Sequence, residues 1–189
     1  MRPKQVTIKM KKAFLVFLFF LIPIPLFSLA ADSLQIGDKA PSFFIESADG
    51  KKLNLEMIIG NLSLIFYEDR SVVEKNNDIK YHLSQFRDNN LSLLHNFQIV
   101  QVVDASSANF LTKTIWKRKL LQNSQKNNIV IYADWAGDML RDYQLKRKES
   151  NLIIVDQSGI IRYLFSGKVN DQELKIIEDL LLSIGRESL

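Results

Sequence analysis

The fold of this chain is decided by residues 62–74, LSLIFYEDRSVVE. The first six, Leu62 to Tyr67, are apolar apart from one serine, which is typical of a central strand buried on both faces. Ser71-Val72-Val73-Glu74 then has the S-x-x-E form of a helix capping box, in which the serine oxygen accepts a hydrogen bond from the N–H of Glu74. We therefore expect a buried strand that leads into a helix capped by Ser71.

Short strands and amphipathic helices alternate on both sides of this stretch. Upstream, a turn signal at Asp49-Gly50-Lys51 separates two short segments and predicts a small N-terminal hairpin. Downstream, we expect strands at 97–103, 129–132, 152–155 and 160–165, and helices at 72–89, 110–121, 137–144 and 170–184. This alternation predicts an α/β layer fold.

The last helix carries the clearest signals. Asn170 is expected to cap it, Glu173 to close a capping-box-like pair with that cap, and Gly185 to end the helix. Its apolar stripe consists of Leu174, Ile177, Leu181 and Ile184.

The first thirty residues have the composition of a secretion signal. A basic segment precedes an apolar run from Ala13 to Ile22, and Ser28-Leu29-Ala30 is a small-x-small cleavage pattern. An uncleaved anchor helix is the alternative, although two prolines interrupt the apolar segment. We expect export to the periplasm, or secretion, with a signal peptide at 1–30, cleavage near Ala30 and one domain at 31–189. Met10 is a second candidate for the translation start.

Charge and cysteine content exclude several classes of function. The whole chain has a formal net charge of +4, but residues 31–189 hold 20 of the 25 basic residues and all 21 acidic ones, which gives −1. A domain without a basic excess is not expected to bind nucleic acid. The chain contains no cysteine, which excludes thiol oxidoreductase and peroxidase chemistry as well as thiolate metal sites.

The order of the elements resembles the redoxin branch of the thioredoxin superfamily, which includes thiol peroxidases and periplasmic thiol-disulfide reductases. The likeness is carried by residues 36–43 (IGDKAPSF), 49–51 (DGK), 62–67 (LSLIFY) and 155–161 (VDQSGII). The resemblance implies a thioredoxin-like fold over about residues 34–184, with a central mixed β-sheet flanked by helices and an N-terminal β-hairpin.

Two departures from the redoxin pattern concern its active site. The resemblance places the two redox cysteines at Ser71 and Glu74, and the cis-proline of the family at Ser150. We expect a trans peptide at Ser150, because a non-proline cis bond costs about 2.5–4 kcal/mol. Arg70, Ser71, Glu74 and Ser150 are therefore predicted to form a degenerate active-site face that serves binding and contains no catalytic residue.

Within this superfamily the chain resembles the cysteine-less periplasmic YtfJ-type proteins of uncharacterised function. This likeness is carried by Arg70-Ser71, Glu74-Lys75-Asn76, Glu149-Ser150, and Asp156 with Gly159. The resemblance implies a periplasmic protein without an established biochemical role.

Other chemistry at this face has weak support in the sequence. A serine nucleophile needs an adjacent base, and neither His82 nor His95 is placed to serve Ser71. Three acidic residues lie near the expected helix start, but carboxylates are stabilising at a helix N-terminus without any catalytic role. The few histidines and methionines show no spacing that suits zinc or copper, so no metal and no cofactor are expected.

Two surface features are candidates for binding. Basic residues cluster on the helix predicted at 110–121, where they would meet an acidic partner or, peripherally, lipid head groups, although a solvated helix face is the usual explanation. Trp135 lies in a loop after a strand, where an exposed tryptophan often marks binding, and the alternative is a tryptophan that covers the core. The basic residues are Lys113, Lys117, Arg118 and Lys119.

These observations favour an exported, non-catalytic binding or interaction module of the envelope that engages a protein or peptide partner. The alternative is an enzyme with non-thiol chemistry at the face around Ser71 and Glu74. The sequence leaves the partner and the oligomeric state open.

Overall fold

A computed structural model describes residues 33–188 of the chain. Within these residues, seven strands form one mixed sheet in the order β2-β1-β5-β4-β3-β6-β7. The signal peptide predicted at 1–30 lies outside the described residues. The strands are β1 (Phe44–Ser47), β2 (Lys52–Asn54), β3 (Leu62–Asp69), β4 (Phe97–Asp104), β5 (Ile131–Asp134), β6 (Ser150–Val155) and β7 (Ile161–Ser166).

Helices cover both faces of the sheet. They are α1 (Leu55–Ile58), α2 (Asn77–Asn89), α3 (Leu91–Leu94), α4 (Lys113–Asn127), α5 (Asp138–Asp142) and α6 (Asp171–Glu187). No helix in residues 33–188 has the length and apolarity needed to cross a bilayer.

Strand β3 occupies the centre of the sheet, as the apolar stretch predicts. It pairs in parallel with β4 and antiparallel with β6, and its residues from Leu62 to Glu68 are all buried. The predicted hairpins β1–β2 and β6–β7 are both formed. The thioredoxin-like architecture implied by the sequence is therefore present.

The alternation of side chains along β3 separates two core layers. Ile65 and Tyr67 pack with residues of α1 and α5 on one face, whereas Leu64 and Phe66 pack with α2 and α6 on the other. The crossovers from β3 to β4 and from β4 to β5 pass through α2 and α4. Right-handed crossovers that step in the same direction across a parallel sheet place both helices on the same face, and an open groove separates them.

All four predicted helices differ in their bounds from the structure, α5 only slightly, since it spans Asp138–Asp142 instead of 137–144. Helix α2 begins at Asn77 instead of near Val72, and α4 spans Lys113–Asn127 instead of 110–121. Helix α6 does not end at Gly185 but continues to Glu187. A Cβ at Gly185 would lie 2.6 Å from the carbonyl oxygen of Leu93, so glycine is needed for the close contact between α6 and α3 and does not act as a stop signal.

Of the two hydrogen bonds predicted at the start of α6, only the one to the side chain of Asn170 is present. The side chain of Asn170 accepts a hydrogen bond from the N–H of Glu173 at 2.9 Å. The carboxylate of Glu173 does not reach back to the cap, because it accepts a hydrogen bond from the hydroxyl of Tyr163 on β7.

Candidate functional site

The four residues of the predicted face lie near one another but differ in accessibility. Arg70, Ser71 and Glu74 are exposed in the turns that connect β3 to α2. Ser150 is the first residue of β6 and is fully buried, and among the described residues no peptide bond is cis, as predicted for Ser150. Only three of the four side chains are thus accessible to a partner.

Ser71 does not cap a helix, so the capping-box prediction is wrong. The N-cap of α2 is Asn76, five residues later. The N–H and the hydroxyl of Ser71 both donate to Oδ1 of Asp69, at 2.8 and 2.6 Å. An aspartate two residues earlier offers a local acceptor that forms an Asx turn, and this competes with helix initiation at Ser71.

Behind the exposed turns lies a buried polar cluster, which we call the Glu68 network. The ammonium of Lys80 contacts Oε2 of Glu68 at 2.5 Å and donates to the carbonyl of Val73 at 2.9 Å. The hydroxyl of Ser150 donates to Oε1 of Glu68 at 2.8 Å. Glu68 and Lys80 are only 3% and 7% exposed, so each charge depends on the other for compensation.

Asn76 connects this network to the segment that follows the edge strand β7. Its amide nitrogen donates to the hydroxyl of Ser150 at 2.8 Å and to the carbonyl of Gly167 at 3.0 Å. Its amide oxygen accepts from the N–H of Val169 at 3.0 Å. One buried side chain therefore fixes the start of α2, the start of β6 and the segment after β7.

Burial dominates the electrostatics of Glu68. Loss of hydration disfavours the carboxylate and raises the pKa of Glu68 above its ordinary value of 4.5, while the charge and hydrogen bond of Lys80 and the hydrogen bond of Ser150 act in the opposite direction. A partly exposed pair, Lys75 with Glu149 at 2.5 Å, covers the network from outside.

An open groove of about 670 Å³ lies beside the network, between α2 and α4. This volume is within the range of small-molecule sites. Glu68 and Lys80 border the groove from the network side, and Gln101 lies in its floor. The groove is also lined by Arg70, Glu74, Tyr81, Trp116, Lys119 and Asn123.

The groove combines an aromatic wall with unpaired polar groups. The guanidinium of Arg70 lies 5.5 Å from the ring centroid of Trp116, a favourable cation–π distance. The half-buried amide of Gln101 makes no hydrogen bond to any residue in the described part of the chain. Its donor and acceptor atoms are therefore free to bind a ligand.

Trp135, the predicted binding aromatic, does not line this groove. It packs with the core beside β5, and the ammonium groups of Lys113 and Lys117 lie 4.9 and 5.8 Å from its ring centroid. Its indole N–H is buried and has no hydrogen-bond partner among residues 33–188. The tryptophan that faces the groove is Trp116.

The described residues show no metal-binding group and no histidine beside Ser71. No group of three His, Cys, Asp or Glu residues within 33–188 is arranged to hold a metal ion. Nε2 of His82 lies 2.7 Å from Glu178 on α6. His95 lies between α3 and β4, at the end of the strands where β3 begins, whereas Ser71 follows the other end of β3. Neither histidine is placed to act as a base for that serine.

Sequence reasoning missed the Glu68–Lys80 pair and the role of Asn76. One signal was available, because Glu68 shares the alternation of Leu64 and Phe66 and so points to the same buried face. A buried carboxylate needs a cation, and Lys80 was a candidate because it lies on the helix that follows. The partner itself depends on the angle at which α2 crosses the sheet.

Solved structures similar to this chain share its fold at low sequence identity. A protein from Chlorobium tepidum that is assigned as the thiol:disulfide interchange protein DsbE is 19% identical to this chain. Its TM-score is 0.62, over 81% of this chain and 99% of that one. A thiol peroxidase from Chromobacterium violaceum is 16% identical, with a TM-score of 0.57 over 80% and 88%. The thioredoxin domain of a thiol-disulfide oxidoreductase from Bacteroides vulgatus is 16% identical, with a TM-score of 0.56 over 79% and 99%.

The sequence comparisons are more specific. No protein with a curated description matches the chain significantly. Residues 51–183, which include β3, the Glu68 network and the groove, match the sequence model of a bacterial family of unknown function. This thioredoxin-fold chain without cysteine therefore belongs to the YtfJ_HI0045 family of bacterial proteins.

Proposed function

We propose that this protein is an exported, non-catalytic binding module of the periplasm, and that its partner occupies the groove between α2 and α4. The observation that carries the proposal is the contrast between a buried polar network, in which each side chain already has partners, and an adjacent open groove of about 670 Å³. Export is supported by the signal-like composition of residues 1–30. The fold is shared with solved structures that include a DsbE-type protein and a thiol peroxidase.

The position of the groove suits a binding role inherited from this fold. The two redox cysteines of the redoxin pattern correspond to Ser71 and Glu74, and Glu74 and the neighbouring Arg70 both border the groove. This surface is accessible, although the thiols of the redoxin pattern are absent from it. Arg70 and Glu74 supply one charge of each sign for a polypeptide partner.

A serine or carboxylate enzyme at the same face has less support. The hydroxyl of Ser71 donates to Asp69, an arrangement without the imidazole that activates a serine nucleophile. Glu74 is exposed, and its side chain makes no hydrogen bond or ion pair with another residue in 33–188. We therefore retain the binding module as the proposed function.

The test is affinity capture from a bacterial envelope fraction with a variant that fills the groove. Asn123 is exposed on α4 and lines the groove, whereas Gln125 is exposed on the same helix and does not line it. We expect a partner that is captured by the parent and by Gln125→Trp but is lost from Asn123→Trp. Arg70→Glu should lose the same partner, because it reverses a charge at the rim.

Two results would contradict the proposal. Capture of the same partner by Asn123→Trp and by the parent would place binding elsewhere on the surface. Turnover of an envelope metabolite or peptide that disappears in Ser71→Ala would establish an enzyme. Circular dichroism and urea unfolding of each variant verify that the fold is intact.

A further inference from the structure

Positive charge is concentrated in one segment of the domain. Residues 105–133 contain five lysine or arginine residues and no aspartate or glutamate, in a domain where acidic residues outnumber basic ones by 21 to 20 over residues 31–189. The five cations all lie on α4. The remainder of the domain is therefore acidic by six charges, and α4 is a basic surface on an acidic protein.

The acidic residues that bound this segment do not neutralise it. Asp104 is 6% exposed, and it accepts hydrogen bonds from the N–H and the hydroxyl of Ser106. Asp134 is 1% exposed, and it accepts hydrogen bonds from the hydroxyl of Tyr67 and from backbone N–H groups that include that of Gly137. Both carboxylates thus point inward.

An exposed apolar tip precedes the basic helix. Phe110 is 92% exposed, Leu111 77% and Ile115 52%, which leaves three large hydrophobic side chains in water within six residues. Scattered apolar residues on a surface need no explanation, but a contiguous exposed group marks an interaction site.

The tip is held in a defined turn. Oδ1 of Asn109 accepts hydrogen bonds from the N–H groups of Leu111 and Thr112, both at 3.0 Å, and the N–H of Asn109 donates to the hydroxyl of Thr112 at 3.0 Å. These bonds fix the backbone on which Phe110 and Leu111 project. Insertion would therefore require little ordering of the chain.

We propose that residues 109–119 form a membrane-docking tip that binds the surface of an anionic bilayer. Phe110 and Leu111 would enter the interfacial region, and Lys113, Arg118 and Lys119 would lie among the acidic head groups. This combination of an apolar edge with adjacent cations is what an interfacial segment needs. Phe110 and Leu111, 92% and 77% exposed next to these cations, favour a lipid surface, which can take up apolar side chains beside its charged head groups.

The absence of cysteine allows a local test on the full chain. A fluorophore that responds to polarity, such as nitrobenzoxadiazole, is attached at one of two exposed positions. Ser107→Cys places it next to the tip. Ser158→Cys places it in the turn between β6 and β7, near the start of β3 and so at the opposite end of the strands. Vesicles of phosphatidylcholine alone are compared with vesicles that also contain phosphatidylglycerol. We expect the emission of the label at 107 to increase with anionic vesicles only, and to return to its starting value in high salt.

Variants in the labelled background separate the two contributions. Lys113→Gln with Arg118→Gln, two cations that do not line the groove, should raise the lipid concentration for half-maximal signal about 30-fold, because each cation contributes a factor of about five at an anionic surface. Phe110→Ser with Leu111→Ser should raise it at least about ten-fold. Asn123→Trp, which fills the groove, should leave lipid binding unchanged, so that the docking tip and the groove are tested independently.

Three results would overturn the inference. An equal response at positions 107 and 158 would mean attachment through another part of the chain. An equal response to neutral and anionic vesicles, or none, would exclude electrostatic docking. A response that grows with protein concentration in the absence of vesicles would identify a second copy of the chain as the partner.

Discussion

The Glu68 network and the groove are adjacent, because Glu68 on β3 and Lys80 on α2 border both. They differ in whether their polar groups have hydrogen-bond partners within the protein. In the network, Glu68, Asn76 and Ser150 exchange hydrogen bonds within the protein and are 3% exposed or less. In the groove, the rim residue Arg70 is exposed and the amide of Gln101 has no partner in the described structure.

This difference separates the Glu68 network, which stabilises the fold, from the groove, which is the proposed binding site. A buried charge pair with complete hydrogen bonding contributes to a unique structure but cannot take up a ligand without losing its partners. Unsatisfied groups around an open volume cost the fold little and remain available for binding. Ser150, in the region that the redoxin resemblance assigns to the redox site, is thus part of the scaffold, and the proposed binding site lies next to it.

The largest expected effect is on the charge pair inside the network. Lys80→Met removes the cation that lies 2.5 Å from Glu68 and leaves a carboxylate that is 3% exposed without compensation. The free energy of unfolding should fall by about 3–5 kcal/mol, measured by urea denaturation at neutral pH.

A double variant is the matched control for this loss. Glu68→Leu with Lys80→Met removes both charges and should recover most of the stability, because an apolar pair needs no compensation. Lys75→Met breaks the partly exposed pair with Glu149 and should cost less than about 1 kcal/mol. Equal losses from Lys75→Met and Lys80→Met would contradict the distinction between a buried and a surface pair.

The second effect concerns Asn76, whose buried side chain makes three hydrogen bonds. Asn76→Ala should lower the free energy of unfolding by about 3 kcal/mol, since it leaves a backbone N–H and a carbonyl unsatisfied. Asn123→Ala in the groove is the control and should change stability by no more than about 0.5 kcal/mol. Comparable losses would mean that the groove residues are also structural.

Local patterns predicted the elements of the fold well. The apolar run of β3 and the hydrogen bond from Glu173 to Asn170 at the start of α6 depend on residues a few positions apart. The predictions for Ser71 and Gly185 were wrong because the motifs used for them leave out the groups that decide their roles. An acceptor on Asp69 and the carbonyl of Leu93 decide their roles, and a motif read by itself does not contain either contact.

The candidate site was predictable in location but not in composition. The redoxin resemblance placed Ser71, Glu74 and Ser150 in one region, and the structure brings that region together. The contacts inside it join residues far apart in the chain, such as Ser150 and Glu68 at a separation of 82 positions. Spacing alone could not show that Ser150 would be buried or that Lys80 would pair with Glu68.

The third effect is a pH dependence that originates at Glu68. Burial raises the pKa of Glu68 above 4.5 in the folded protein, so the native state binds more protons than the unfolded state between 4.5 and the raised pKa. In that window this group makes the free energy of unfolding fall as pH rises. The stability of the parent relative to Glu68→Gln should decrease accordingly in urea titrations from pH 4.5 to neutral.

Lys80→Met should enlarge this pH dependence, because it removes the cation that opposes the shift. A parent that gains stability relative to Glu68→Gln over the same pH range would show that Lys80 outweighs the loss of hydration.

The smallest expected effect on stability is at the groove, where Arg70 stacks on Trp116 at 5.5 Å. Arg70→Ala should cost only about 0.5–1 kcal/mol, the range for an exposed cation–π contact, yet it should weaken partner binding because it removes a charge from the rim. Lys113→Ala is the matched control, since it removes a similar contact from Trp135 at 4.9 Å, outside the groove, and should leave binding unchanged. Urea denaturation and partner titration of the two variants separate the effects. If Arg70→Ala instead destabilised the fold as much as Asn76→Ala does and left binding intact, the rim would belong to the scaffold, and the contrast between closed network and open groove would be lost.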